Sequence, residues 1–240
     1  MIYELDQLVE PIGRERFYKE YKDKQYVIIR GNDIKDHFSW KEFDDYLNSL
    51  DASGHDRMPH FQMVLDDGQK YCKRKAKEKL TKEKIHNLWH SGHSAILTIC
   101  EFLNRTMYKQ CQAFEKVYGP GQANIYCSGK KDALCFPIHA DSTDNFLFHV
   151  RGDVQWHLYD AFAPNEGKIE PGKWRSNKWM EEEEPEADVF TLGEGDVLYI
   201  PRFQYHRVTS VGPRISISYH FHEPNEKQRK FKREPWLDFA

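Results

Sequence analysis

His139-Ala140-Asp141 places an imidazole and a carboxylate two residues apart. On an extended backbone such residues project to the same side, so both can grip one metal ion. Alone, an H-x-D is weak in a chain with twelve histidines, and it reads equally well as a polar turn before a strand. Weight comes from downstream, where GDVLYIP (195–201) leads after four more residues to His206 at the start of a further strand. Two imidazoles and one carboxylate make the facial set that holds a non-haem iron and leaves positions open for a chelating cosubstrate and dioxygen. His139, Asp141 and His206 are therefore the candidate catalytic and metal-binding residues.

Three ligands so far apart in sequence need a rigid frame. From Ala123 the apolar pattern turns to a period of two, and residues 124–126, 145–151 and 155–159 read as strands. Gly152-Asp153 between two apolar runs predicts a hairpin. Residues 188–192 and 196–200 flank Gly193-Glu194-Gly195 as a second hairpin, and 207–211 and 214–221 flank Gly212-Pro213 as a third. Residues 161–185 are rich in Pro, Gly and charge and are expected to form a surface insertion, with Trp174 and Trp179 as its anchors or as a lid.

Upstream, 14–21 predicts a short amphipathic helix and 26–30 a strand. Ser39 and Glu42 form a capping box for a helix with Trp40, Phe43, Tyr46 and Leu47 on one face. Residues 51–59 read as a loop, 61–65 and 95–99 as strands, and 102–118 as a helix stopped by Gly119, with Leu103, Met107, Tyr108, Phe114 and Val117 at helical spacing. The sum is a mainly β fold with flanking helices, a small antiparallel barrel or sandwich. One domain spans 1–240, with N-terminal α/β elements (1–121) packed on a barrel core (122–222) and a tail (223–240).

At 240 residues, 14% aromatic and net charge −3, the chain suits a folded globular domain, not a disordered chain or a dedicated nucleic-acid binder. Residues 69–84 carry eight Lys/Arg against Glu78 and Glu83, and 181–184 is an acidic run. The basic stretch reads first as a solvated face, with a loop over substrate or a polyanion contact as alternatives. Five cysteines without a C-x-x-C pair indicate neither a disulfide framework nor a structural zinc site. A reducing, cytoplasmic setting without a membrane span is expected, because no signal-like start and no stretch of ~18 apolar residues is present.

The segments H-A-D (139–141), N-F-L-F-H-V-R-G (145–152) and G-D-V-L-Y-I-P-R-F-Q-Y-H (195–206) resemble the cupin-type JmjC family of iron(II)- and 2-oxoglutarate-dependent oxygenases, in particular its ribosomal-oxygenase branch. F-Y-K-E-Y-K-D-K-Q-Y-V-I-I-R-G (17–31) and N-I-Y-C-S-G (124–129) resemble other segments of that branch. The resemblance implies a double-stranded β-helix (cupin, jelly-roll) barrel. It also implies Fe(II), 2-oxoglutarate and O2 as cofactor and cosubstrates, and a dioxygenase that hydroxylates a C–H bond while forming succinate and carbon dioxide. A peptide or protein side chain is the first expected substrate, since relatives hydroxylate ribosomal proteins. A free amino acid, a small metabolite or an RNA nucleotide are alternatives, and a non-catalytic cupin-fold metal-binding protein is the rival from another class. The oligomeric state stays open, a homodimer included, because Trp236, Leu237 and Phe239 in the tail could meet a second subunit or dock back.

Many relatives hold the far carboxylate of 2-oxoglutarate with a cation fifteen residues after the first metal histidine, a position filled here by Val154. Arg214-Ile215-Ser216, eight residues after His206, resembles the R-x-S element that serves this purpose in other such oxygenases. Guanidinium and hydroxyl would share one strand face. A surface arginine at a turn is the alternative for Arg214, and Arg151 is the other candidate cation. Asn145 matches a position that bonds the cosubstrate in relatives, Tyr126 could donate to the same carboxylate, and His220 stands where relatives carry an Asn near the metal. Each of these also reads as a satisfied interior polar residue. His149, His157 and His222 lack ligand-like spacing and read as structural.

Overall fold

Two antiparallel sheets packed face to face organise the chain in a computed structural model that describes residues 1–49, 60–64, 81–164, 175 and 186–221. The strands are β1 (Val27–Ile29), β2 (His60–Met63), β3 (Ala95–Thr98), β4 (Gly121–Ser128), β5 (His139–Ala140), β6 (Asp144–Arg151), β7 (Val154–Phe162), β8 (Ala187–Leu192), β9 (Val197–Ile200), β10 (Gln204–Ser210) and β11 (Arg214–Phe221). The larger sheet runs β1-β9-β6-β11-β4-β3-β2 and the smaller β5-β10-β7-β8. This is the jelly-roll arrangement that the family resemblance implied. β1, β2 and β3, from the first 121 residues, extend the larger sheet on both of its flanks.

Strand parity explains why the larger sheet has one oily and one polar face. Along β11, Ile215, Ile217, Tyr219 and Phe221 are fully buried in the main apolar core, while Arg214, Ser216, Ser218 and His220 alternate with them toward the other sheet. β6 repeats the pattern, with Phe146, Phe148 and Val150 in the core against Asn145, Leu147 and His149. The Arg105–Tyr118 helix covers the oily face. Its Phe114 ring lies 4.9 to 6.2 Å from those of Phe146, Phe148, Tyr219 and Phe221, a contact set whose loss in a Phe→Ala change costs about 3–5 kcal/mol.

The helix ends follow from their caps. Asn104 accepts the Met107 N–H at 2.8 Å and Gly119 ends the Arg105–Tyr118 helix at φ 82. The Trp40–Ser49 helix starts on Ser39, whose hydroxyl accepts the Glu42 N–H and donates to the Glu42 carboxylate. The other Glu42 oxygen takes the Asn104 amide, so the box also ties this helix to the start of the Arg105–Tyr118 helix. The latter begins three residues later than the pattern suggests, leaving Phe102 52% exposed, and Val117 is 46% exposed although its spacing predicts a place on the apolar face. Residues 14–21 are helical, with Phe17 buried in the core. None of the described helices is long and apolar enough to cross a membrane.

The three predicted hairpins are corrected. β6 and β7, β8 and β9, and β10 and β11 lie in opposite sheets, so the glycine turns between them are corners that carry the chain across the sandwich. Each strand pairs with partners distant in sequence, as β6 does with β9 and β11. A glycine turn between two apolar runs looks the same locally in either topology. At Gly152 the corner is tight, with φ 64 and no room for a Cβ, which would sit 1.9 Å from the Pro213 carbonyl oxygen. The loop expected at 51–59, most of the basic stretch, Trp174 and Trp179 in the insertion, and the tail lie outside the described residues.

Gly152→Ala is expected to destabilise the fold by about 1–3 kcal/mol, read as a lowered urea midpoint. Gly212→Ala, with nothing within 4 Å of its Cβ, should stay within about 0.5 kcal/mol of the parent. Equal behaviour of the two variants would contradict the corner geometry.

His37 makes a second prediction. Fully buried, it lies 2.7 Å from the Met1 carbonyl and 2.8 Å from the Tyr219 hydroxyl. A carbonyl only accepts, so Nε2 carries the hydrogen and Nδ1 accepts from Tyr219. Burial lowers the pKa to about 4 from 6.5. The folded state therefore binds fewer protons than the unfolded chain. The stabilisation, on the order of 3 kcal/mol, is complete above the unfolded value and lost as pH falls toward the folded one. Urea midpoints should drop between pH 6.5 and 4.5, and His37→Gln should flatten that slope.

Candidate active site

His139 and His206 are direct register partners of the paired strands β5 and β10, and Asp141 follows at the end of β5. One donor atom from each of the three lies within 4.8 Å of the others, the one such group among the described residues. The His206 Nε2 to Asp141 Oδ2 distance is 3.7 Å and the imidazole centroids are 4.3 Å apart. Both rings are fixed from behind, His139 Nδ1 by the Pro137 carbonyl and His206 Nδ1 by the Gln204 carbonyl, each at 2.9 Å. Since a carbonyl only accepts, each Nδ1 carries the hydrogen and each Nε2 offers a lone pair to a metal.

Burial opposes ionisation of Asp141, but positive charge on His206 and His139 when their rings are protonated, with the Asn145 hydrogen bond, outweighs it and holds the carboxyl below its usual range. Asn145 Nδ2 donates to Asp141 Oδ2 at 3.3 Å and to the Thr143 carbonyl at 3.1 Å, while its Oδ1 accepts from Ser218. Asn145 thus gives one N–H to Asp141 and the other to the Thr143 carbonyl, and it lines the same cavity as the triad. The Phe203 N–H donates to the Asp141 backbone carbonyl at 2.6 Å with Phe203 at φ 69, a strained conformation that ties the turn before His206 to the carboxylate ligand. Two neutral imidazoles and one ionised carboxylate on fixed backbones suit a divalent iron.

The facing sheet supplies the cation. Tyr126, Ser216 and His149 stand side by side on β4, β11 and β6, with Arg214 next to Ser216 on the same face. Arg214 is 4% exposed. Its Nη1 donates to Ser216 Oγ at 3.1 Å and its Nη2 approaches Cys135 Sγ at 3.7 Å. Its Nε has no partner, and no carboxylate of the described residues pairs with it. A buried unpaired guanidinium is costly by several kcal/mol, so this position fits an incoming anion. Burial, with the nearby Asp141 charge, pushes the Tyr126 phenol well above its usual range, so its hydroxyl stays protonated and able to donate.

All seven candidate residues, the triad with Arg214, Ser216, Asn145 and Tyr126, line a single cavity between the sheets. The other candidates separate from it. Arg151 turns to the Val150 carbonyl at 2.6 Å and does not line the cavity. Val154 is fully buried among Trp156, Leu158 and Leu192, where a charged side chain would be enclosed by hydrocarbon. His220 lies opposite Asn145 on the neighbouring strand and contributes to holding Asp141 ionised.

Three contributors escaped the sequence reading. His149 Nδ1 lies 3.0 Å from Ser216 Oγ, and the Trp156 indole donates to His149 Nε2 at 3.2 Å. Burial, and then the charge of Arg214, lower the His149 pKa to about 3. Phe136 sets its ring 5.4 Å from His139 and 6.1 Å from Tyr126. The parity of 145, 147 and 149 was a usable signal for His149, masked by its lack of ligand-like spacing.

Comparison with known proteins adds an independent line. The profile of the JmjC domain matches residues 98–229, more than half of the chain. A bifunctional lysine-specific demethylase and histidyl-hydroxylase, NO66 of Dictyostelium discoideum, is 26% identical over 211 residues, covering 85% of this chain and 39% of that protein. The ribosomal oxygenase YcfD of Escherichia coli superposes with a TM-score of 0.57 at 15% identity, over 89% of this chain and 52% of YcfD. YcfD in complex with cobalt and 2-oxoglutarate superposes with a TM-score of 0.56 at 14% identity, over 89% of this chain and 52% of that one. The chain spans about two fifths of the former relative and half of the latter. On the profile match, supported by the fold and the triad, the chain belongs to the JmjC domain family.

Proposed function

We propose that this chain is an iron(II)- and 2-oxoglutarate-dependent dioxygenase that hydroxylates a C–H bond of a peptide or protein side chain. The observation that carries the reading is the buried, partly unpartnered Arg214 in the same cavity as the triad. Together they match a ligand that is a chelator at one end and a carboxylate at the other. His139, Asp141 and His206 would hold the iron. Arg214, Ser216 and Tyr126 would bind the far carboxylate through a charge-assisted pair and two hydroxyl donors. When bound, iron and 2-oxoglutarate supply the oxidising chemistry, in which one atom of dioxygen enters succinate, carbon dioxide leaves, and the other becomes the substrate hydroxyl.

The protein's own part is placement and exclusion of water. Val64, Ile96 and Phe136 add an apolar wall to the cavity, which strengthens every polar contact inside it. The Asp141 side chain keeps 43% of its surface exposed against 5% for His206, so the triad is reached from the Asp141 side. An open approach of this kind suits a side chain presented by a larger partner. NO66 is a lysine-specific demethylase and histidyl-hydroxylase and YcfD a ribosomal oxygenase, which supports a protein substrate here.

Incubation with iron(II), ascorbate, 2-oxoglutarate and ribosomal-protein and histone peptides should yield succinate and a peptide gain of one oxygen, both read by mass spectrometry. Loss of a methyl group in place of that gain would redirect the reading to demethylation, and no succinate with any substrate would overturn it. Arg214→Met should raise the 2-oxoglutarate concentration for half-maximal succinate formation about 10- to 100-fold, with Mn(II) affinity unchanged. His206→Ala should remove most Mn(II) binding in calorimetry, because one of three ligands is lost.

A further inference from the structure

We propose that Trp156 and His149 form a positioning relay that fixes the Ser216 hydroxyl as a hydrogen-bond donor to the bound carboxylate. An indole N–H only donates, so His149 Nε2, 3.2 Å away, must accept it. The neutral ring then carries its single hydrogen on Nδ1, which can only be given to Ser216 Oγ at 3.0 Å. Arg214 Nη1 donates to the same oxygen at 3.1 Å. Both lone pairs of Ser216 are thereby used. Its own hydrogen has no acceptor among the described residues, and Ser216 lines the cavity.

The consequence is an anchor made of donors, namely the Arg214 guanidinium, the Ser216 hydroxyl and the Tyr126 hydroxyl, all on residues that line the cavity. An ionised carboxylate is an acceptor only and fits such a cradle. His149 does not line the cavity, so it acts through Ser216 and is a positioning residue. Trp156 gives the relay its span. It stands on β7 of the smaller sheet, 5.8 Å from the His206 ring, and its bond to His149 of β6 crosses to the larger sheet. Without the indole donor, His149 is free to take the other tautomer, and Ser216 would then turn its hydrogen to Nδ1 and away from the ligand.

The inference rests on the 2-oxoglutarate reading, and its test separates the two. Calorimetric titration of 2-oxoglutarate into Mn(II)-loaded protein should give about 10-fold weaker binding for Trp156→Phe and for Ser216→Ala. The double variant should be no weaker than Ser216→Ala, with Mn(II) affinity unchanged throughout. His149→Asn, which keeps a donor facing Ser216, should stay within about 3-fold of the parent, whereas His149→Leu should match Ser216→Ala. Histidine nitrogen NMR of the ligand-free protein should show His149 as the Nδ1–H tautomer. Multiplying effects of Trp156→Phe and Ser216→Ala, parental affinity in Trp156→Phe or in His149→Leu, or an Nε2–H tautomer would each overturn the relay alone. Failure of the metal-loaded parent to bind 2-oxoglutarate would overturn the cosubstrate reading and the relay with it.

Discussion

A guanidinium enclosed to 4% exposure, with no carboxylate of the described residues paired to it, sets the terms for this structure. Such a charge is tolerable in a folded protein only where hydrogen bonds and a ligand compensate its lost hydration. Ser216 and Cys135 supply part of that compensation, and the Nε–H is left without a partner. The same enclosure that makes Arg214 costly makes it selective, since an anion entering the cavity meets a fixed charge in a low-dielectric setting.

The two sheets divide the work. The smaller sheet holds His139 and His206 in register, each ring locked by a carbonyl two residues upstream, while the larger sheet holds Arg214, Ser216 and Tyr126 on one face. That face can be polar because the other is not. Ile215, Ile217, Tyr219 and Phe221 anchor β11 under the helical layer, so the strand does not depend on its inner side chains for burial. Apolar contact between the sheets persists around Val154, Leu158, Leu192 and Leu198, which keeps the sandwich closed where no ligand is needed. The absence of a cation at Val154 is a consequence of that packing.

Much of this was legible in the residues. H-x-D and R-x-S are short-range patterns whose geometry follows from strand parity, and parity survives any topology, whereas His206 meets them only through the β5–β10 pairing. Strand positions were read well for the same reason. The pairing of those strands was not, because a glycine corner such as Gly152 and a glycine hairpin share their local chemistry, and sheet membership is decided by contacts between residues far apart in the chain. Val117 shows a similar limit, since a helical stripe marks a face without saying where that face meets the body. His149 has no metal-like spacing to mark it, and its contact with Trp156 comes from the opposite sheet.

The proposed function puts a metal on one sheet of a single cavity and the far carboxylate of 2-oxoglutarate on the other. Its most direct measurement is visible absorption under strict exclusion of oxygen, titrating 2-oxoglutarate into iron(II)-loaded protein. A weak metal-to-ligand charge-transfer band that saturates with 2-oxoglutarate is predicted. Iron binding without such a band at any 2-oxoglutarate concentration would contradict the account.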